Sequence, residues 1–212
     1  MPFAVDLHTH TRFGSNCSHM EPLELARRAR EVGLDAVCIT EHNAPWEEDA
    51  LQALGAEADI LVFGGAEVST ELGDVLVFGV DNSLLPGRPI DDLRRLVDDA
   101  GGIMIAAHPF RWYSLPWAVR DVDVAIRQPI LQKVDAAEAF NGLSLQTEAQ
   151  FACRVLEKLH LRGVGGSVAH VPHSVGRCLT EFERPITTVR QLVAELRAGR
   201  FRAVYPVMDL VL

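Results

Sequence analysis

Apolar runs of strand length alternate with amphipathic stretches of helix length along the whole chain, and this alternation limits the fold more than any other feature. The runs are Phe3–Leu7, Ala36–Thr40, Ile60–Phe63, Val75–Val80, Gly102–Ala107, Val134–Ala139, Gly163–Ser167 and Phe201–Val207. Between them lie Pro22–Val32, Trp46–Glu57, Ile90–Ala100, Gln146–His160 and Thr188–Ala198, each with apolar residues at i, i+3, i+4 spacing. Repeated βα units of this kind predict a parallel sheet covered by helices. The helix ends carry matching signals: Pro22 at an N1 position, Gly33 and Gly199 where C′ glycines belong, and Gly101-Gly102 before the next strand. No repeat, low-complexity run or linker interrupts the pattern, so residues 1–212 read as a single domain, long enough to bury a core without disulfides or a structural metal.

Charge and targeting signals narrow the function classes. A net charge of −9 argues against strong nonspecific binding to nucleic-acid backbone, which needs a basic surface. The start MPFAVDLHTH has no basic region before its short apolar stretch, and no segment reaches the roughly 18 apolar residues of a membrane span. A cytoplasmic protein is expected. Cys17, Cys38, Cys153 and Cys178 form no CxxC pair, so reduced thiols are the default rather than a disulfide framework or zinc knuckle.

Five of the eight histidines stand at or just beyond the ends of predicted strands, the rim where α/β barrels build their sites. His8 and His10 follow Phe3–Leu7, and a period of two points both imidazoles to one face, where they can share an ion. His42 follows the second run, Glu67 follows the third after a Gly64-Gly65 kink, and His108 and His170 follow the fifth and seventh. Imidazole and carboxylate suit Zn, Mn or Fe in open hydrolytic sites, where an ion activates water and holds a phosphoryl group. The stretch Pro109–Val122, with Trp112, Tyr113 and Trp117, lacks periodicity and reads as a loop or irregular helix able to cover such a site.

Together these motifs resemble the PHP (polymerase and histidinol phosphatase) domain over nearly the full chain. The matching segments are Asp6–Thr11, Ile39–Asn43, Gly65–Ser69, Ala107–Pro109, Glu138–Asn141, and Gly166–His170 with Val175-Gly176 behind it, in family order. The resemblance implies a distorted seven-stranded (βα)7 barrel, TIM-like, with a site for up to three ions of Zn, Mn or Fe. It implies phosphoesterase chemistry on a small phosphorylated metabolite or nucleotide, and it carries ligand roles onto His8, His10, His42, Glu67, His108 and His170. Three positions depart from the family pattern. Asn16 stands where Asp or His is usual. Val75–Val80 lacks a histidine, for which Asp74, with the parity of Leu76, is the substitute. Val168 replaces the carboxylate of Ser-Asp-Ala-His, which lowers the expected complement to one or two ions.

Candidates for the phosphate are Arg12, Arg111 and Arg177, each two to seven residues beyond a ligand candidate and able to fork onto phosphate oxygens. His173 is a candidate general acid, Asn141 and Glu138 candidate pocket residues, and Cys17 a further candidate ligand. Two other readings stay open. An amidohydrolase-type C–N hydrolase also opens on HxH, but Lys133 and Lys158, the only lysines, are not at strand ends where a carbamylated lysine is needed. A degenerate PHP domain with a binding or regulatory role is the other, supported by Val168 and Asn16.

Overall fold

The computed structural model describes residues 2–42, 46–81, 87–114, 120–206 and 210–211. One mixed sheet runs through them in the order β10-β9-β8-β1-β2-β3-β4-β5-β6-β7. The strands are β1 (Phe3–Thr9), β2 (Ala36–Glu41), β3 (Leu61–Thr70), β4 (Gly73–Phe78), β5 (Ile103–Ala106), β6 (Ala136–Asn141), β7 (Arg162–Gly166), β8 (Leu179–Phe182), β9 (Phe201–Tyr205) and the two-residue β10 (Leu210–Val211). Nine strands of four residues or more curve into a nearly closed barrel, and this corrects the expected (βα)7 count. Pairing is parallel for β1–β2, β2–β3, β5–β6 and β6–β7, and antiparallel for β3–β4, β4–β5, β1–β8 and β8–β9. For β3–β4 the reason is loop length. Only Glu71 and Leu72 join β3 to β4, too few for the crossover a parallel pair requires.

The third apolar run also extends further than its composition suggested. β3 continues through Gly64-Gly65 to Thr70, so Glu67 lies inside a strand and not beyond one. Those glycines are a close-packing device rather than a kink: a Cβ on Gly65 would sit 2.4 Å from Cε1 of Phe78. β8 had no counterpart in the sequence reading, because four residues with Glu181 among them are too short to show a period.

Helices α1 (Pro22–Glu31), α2 (Glu48–Ala58), α3 (Ile90–Ala100), the single turn α4 (Val122–Ala125), α5 (Gln146–Leu159) and α6 (Val189–Ala198) follow the predicted stretches to within two residues at each end, α4 excepted. The stripe Ile90, Leu93 and Val97 buries α3 against the outer side of β4, β5 and β6, each side chain contributing about 1.5–3 kcal/mol. Leu25, Ala26 and Ala29 of α1 pack with Leu51 of α2 over Val37, Ile39 and Val62. α6 is placed differently. Its Leu192, Val193 and Leu196 join the barrel interior of Val5, Leu7, Phe63, Phe78, Ile105 and Phe182, and Arg197 Nε donates to the Gly102 carbonyl at 3.0 Å. One end of the barrel is therefore plugged by apolar packing, which leaves the opposite end for chemistry.

The barrel closes where β7 returns to β1 and β8. The Thr180 hydroxyl accepts from the Gly165 N–H and donates to the Gly165 carbonyl, both at 2.9 Å. Past the end of β7, His10 N–H donates to the Ala169 carbonyl at 3.0 Å and Ser167 N–H to Asp6 Oδ1 at 2.8 Å. Only glycine fits the seam at 166, since a Cβ there would meet His8 Cβ at 2.7 Å and Glu138 Oε1 at 2.9 Å.

Candidate metal centre

The first histidine pair reaches the barrel mouth through a change of register. Asp6 pairs with Val37, but Thr9 pairs with Ile39, so β1 carries one residue more than β2 across this interval. Phe3, Val5 and Leu7 belong to the interior packing below that bulge. Above it, His8 and His10 take over the inward direction, as a bulge that re-aims side chains does. Asp6 clamps the bulge, accepting from the backbone N–H groups of His8 at 3.3 Å, Ser167 at 2.8 Å and Gly176 at 3.0 Å. Burial pushes its pKa up, against the pull of those bonds.

Glu67 is the hub. Its Oε2 lies 3.1 Å from Nε2 of both His8 and His10 and 3.5 Å from Nδ1 of His42, while Oε1 lies 2.9 Å from Nε2 of His108. His8 Nε2 and His10 Nε2 are 3.0 Å apart. The far nitrogens are already committed. His8 Nδ1 lies 2.7 Å from Glu138 Oε1, and His10 Nδ1–H donates to Ser15 Oγ at 3.1 Å, because the Ser15 proton goes to Glu41 at 2.5 Å. His170 Nδ1–H donates to the Val168 carbonyl at 2.8 Å. Fixing the Nδ1 proton aims each Nε2 lone pair inward, the tautomer metal-binding histidines take. Two imidazole lone pairs and a carboxylate within about 3 Å of one another repel unless a cation lies among them, so the donor set fits a divalent ion.

In the metal-free protein a proton serves that purpose. Burial works against a charged His8, yet Glu138 and Glu67 outweigh it and raise its pKa to about 10. Burial dominates at His10 and lowers its pKa to about 3. Burial also opposes charge on Glu67, but the His8 charge and the bonds from His10, His108 and His8 hold it well below the ordinary carboxylate range. The His170 pKa is lowered, chiefly by burial.

Two groups of three candidate ligands emerge among the described residues: His8, Glu67 and His108, and His10, Cys17 and His42, each with ligand atoms within 4.8 Å of one another. The rings of His42 and His170 both lie nearly parallel to that of His10, with centroids 4.7 Å away. All six family-matched candidates thus gather at one mouth. Cys17 joins them through His10 and His42, and Glu138 through His8. Arg12 is exposed and pairs with Glu21 at 2.6 Å, Asn141 Oδ1 accepts from Leu143 N–H at 3.1 Å, and Asp74 accepts from the Ser69 hydroxyl at 2.7 Å. His173 and Arg177 are exposed on and just after the turn Pro172–Ser174, and Arg111 opens the turn Arg111–Ser114. Phe110 and Tyr113 anchor that turn on Phe151 of α5, whereas Trp117 lies outside the described residues. Val168 is buried at φ 51, a backbone region costly for a β-branched side chain.

Of the two buried carboxylates that hold the candidate ligands, Glu138 is a pocket residue in the sequence reading and Glu41 has no role there. Glu138 spans two of them, taking His8 on one oxygen and the His108 N–H at 2.7 Å on the other. Glu41 collects Thr11 N–H at 3.1 Å, Ser15 Oγ and Trp46 Nε1 at 3.4 Å, tying the loop after β1 to β2. Their signal is burial of a carboxylate, which spacing does not reveal.

A PHP domain model matches residues 6–107, and a PHP-associated model matches residues 147–201. An uncharacterized protein of Methanocaldococcus jannaschii is 25% identical over 115 residues, which cover 50% of this chain and 67% of that protein. Among solved structures, PsfC from Pseudomonas syringae shares the fold with a TM-score of 0.67 at 22% identity, over 97% of this chain and 92% of the other. A two-domain protein from Bacteroides vulgatus, described as containing a predicted PHP-like metal-dependent phosphoesterase, gives a TM-score of 0.74 at 19% identity, over 97% of this chain and 65% of the other. With both PHP models matched in chain order and the histidine–glutamate cluster at the barrel mouth, the chain belongs to the PHP family.

Proposed function

We propose that this chain is a metal-dependent phosphoesterase acting on a small phosphorylated metabolite or nucleotide. The observation that carries the reading is the meeting of His8 Nε2, His10 Nε2 and Glu67 Oε2 within 3.0–3.1 Å, with the opposite ring nitrogens tied to Glu138 and Ser15. Zn, Mn or Fe held by the two ligand groups that meet there would supply Lewis acidity and lower the pKa of a water toward neutrality. Glu67 faces both ligand groups and fixes their separation. Glu138 and the Ser15–Glu41 pair hold the ring orientations, and His42, His108 and His170 complete the set. Arg111 and Arg177 are the arginines for the phosphate; Arg12 reaches it after leaving Glu21. His173 is proposed as the proton donor to the leaving oxygen, with Asp74 as a further polar group on the same rim.

The test is elemental analysis of the purified chain, followed by hydrolysis of p-nitrophenyl phosphate against amide and lactone substrates. Bound Zn, Mn or Fe with preference for the phosphate ester is the expected result. Failure to take up metal after incubation with Mn and Zn overturns the reading, and cleavage of the amide or lactone alone replaces it with a C–N or lactone hydrolase.

A further inference from the structure

The loop between β1 and α1 is pinned on either side of Cys17. Ser15 N–H donates to the Thr11 carbonyl at 3.2 Å and Ser18 N–H to the Ser15 carbonyl at 3.0 Å, while the Ser18 hydroxyl lies 3.0 Å from the His10 carbonyl and 3.1 Å from the His170 carbonyl. This fold-back brings the Cys17 sulfur within 4.8 Å of the ligand atoms of His10 and His42. The other cysteines differ: Cys38 and Cys178 are buried in apolar packing, and Cys153 sits half-buried on α5. Cys17 is exposed, and among the described residues it is the one thiol grouped with imidazoles.

We propose that Cys17 is a metal ligand, and that its thiolate with His10 and His42 forms a second metal position beside His8, Glu67 and His108. This rests on the metal-site reading above but goes beyond it, since the family resemblance supplies only nitrogen and oxygen ligands and offers Asn16 at this place. Binding replaces the thiol proton, which leaves to water, by a metal–sulfur bond. Tetrahedral donors around zinc stand about 3.5 Å apart, so the group closes onto an ion with donor shifts of roughly 1 Å. One sulfur and two imidazoles leave a coordination position open, and the sulfur biases this position toward Zn, Fe(II) or Co(II) over Mn or Mg.

The test uses the full-length chain stripped of metal and titrated with Co(II). The expected result is a near-ultraviolet sulfur-to-cobalt charge-transfer band that persists in Cys153→Ser and disappears in Cys17→Ser. Zn affinity for the second equivalent should fall about 10–100-fold in Cys17→Ser. A measurement without any variant accompanies it: Zn but not Mn should slow iodoacetamide alkylation of Cys17, followed by mass spectrometry, by at least about 10-fold. Visible cobalt d–d bands without the charge-transfer band, or alkylation unaffected by Zn, overturn the cysteine ligand and leave the metal-site reading standing. No cobalt uptake at all overturns both.

Discussion

β1 and β3 deliver ligands to the same ion-demanding cluster by different means. β3 keeps strict alternation: Phe63 faces the apolar interior, Gly65 makes room for the Phe78 ring, and Glu67 takes the next inward place. β1 changes face. Its odd residues Val5 and Leu7 fill the interior, and the extra residue in register with β2 hands the inward direction to His8 and His10. A regular strand can thus turn from core to catalysis by a single substitution at the next inward position, whereas the bulged strand needs a clamp, supplied by Asp6 and Glu138.

The largest effect should come from the regular strand. Glu67→Ala removes the carboxylate that meets His8, His10, His42 and His108, and it should strip metal from both groups. Turnover should fall by roughly 100-fold or more, beyond the usual cost of losing an outer partner. Elemental analysis beside an activity assay decides it, and an intact metal complement would refute the hub role. On the bulged strand, Glu138→Gln keeps the shape but weakens the hold on His8 and on the His108 N–H. Metal affinity should drop about 10–100-fold, as measured by competition with a chelating dye, with the fold unchanged by circular dichroism.

The two strands can also be separated through their glycines. Alanine at Gly65 drives a Cβ into the Phe78 ring, and alanine at Gly166 drives one into His8 and Glu138. Each should cost about 1–3 kcal/mol, lowering Tm by about 2–12 °C. Only Gly166→Ala should also weaken metal binding, because only its neighbours are ligands or their clamp. Equal metal loss in both variants would show that the strain spreads through the barrel.

Much of the contrast was legible in the sequence, and the rest was hidden for physical reasons. Five helices and most strand cores follow from periodicity, and the histidines stand out because imidazole is uncommon at strand ends. Parity also placed Asp74 on the face of Leu76, and it pairs with Ser69 as Leu76 pairs with Glu67. What spacing could not show was the bulge in β1, since a register slip is a relation between two strands. The same holds for β8, whose four residues are held by pairing with β1 and β9 rather than by their own pattern. Buried Glu41 reads as an ordinary acid until the fold surrounds it, and Glu138, placed at the pocket by its strand end, shows its hold on His8 and His108 only in the fold.

A pH dependence separates the neighbours on the bulge without any change to the ligands themselves. His8 has a pKa raised from 6.5 to about 10 in the metal-free fold, so its stabilisation is fully present below pH 6.5 and is lost as pH rises through about 10. His10 has a pKa lowered from 6.5 to about 3, so its neutral form favours the fold above pH 6.5, and that advantage is lost as pH falls toward about 3. The chelated protein should therefore melt highest near the middle of this range and lose Tm on both sides, at about 2–4 °C per kcal/mol. A bound divalent ion takes the place of the His8 proton, so in the Zn-loaded protein the alkaline decline should vanish. Glu138→Gln removes the larger of the two charges that hold the His8 proton, and it should flatten the alkaline limb of the chelated protein while leaving the acid limb in place. Melting curves in chelator across this range decide the matter: an alkaline limb unchanged by Glu138→Gln would mean that His8 is not the titrating group.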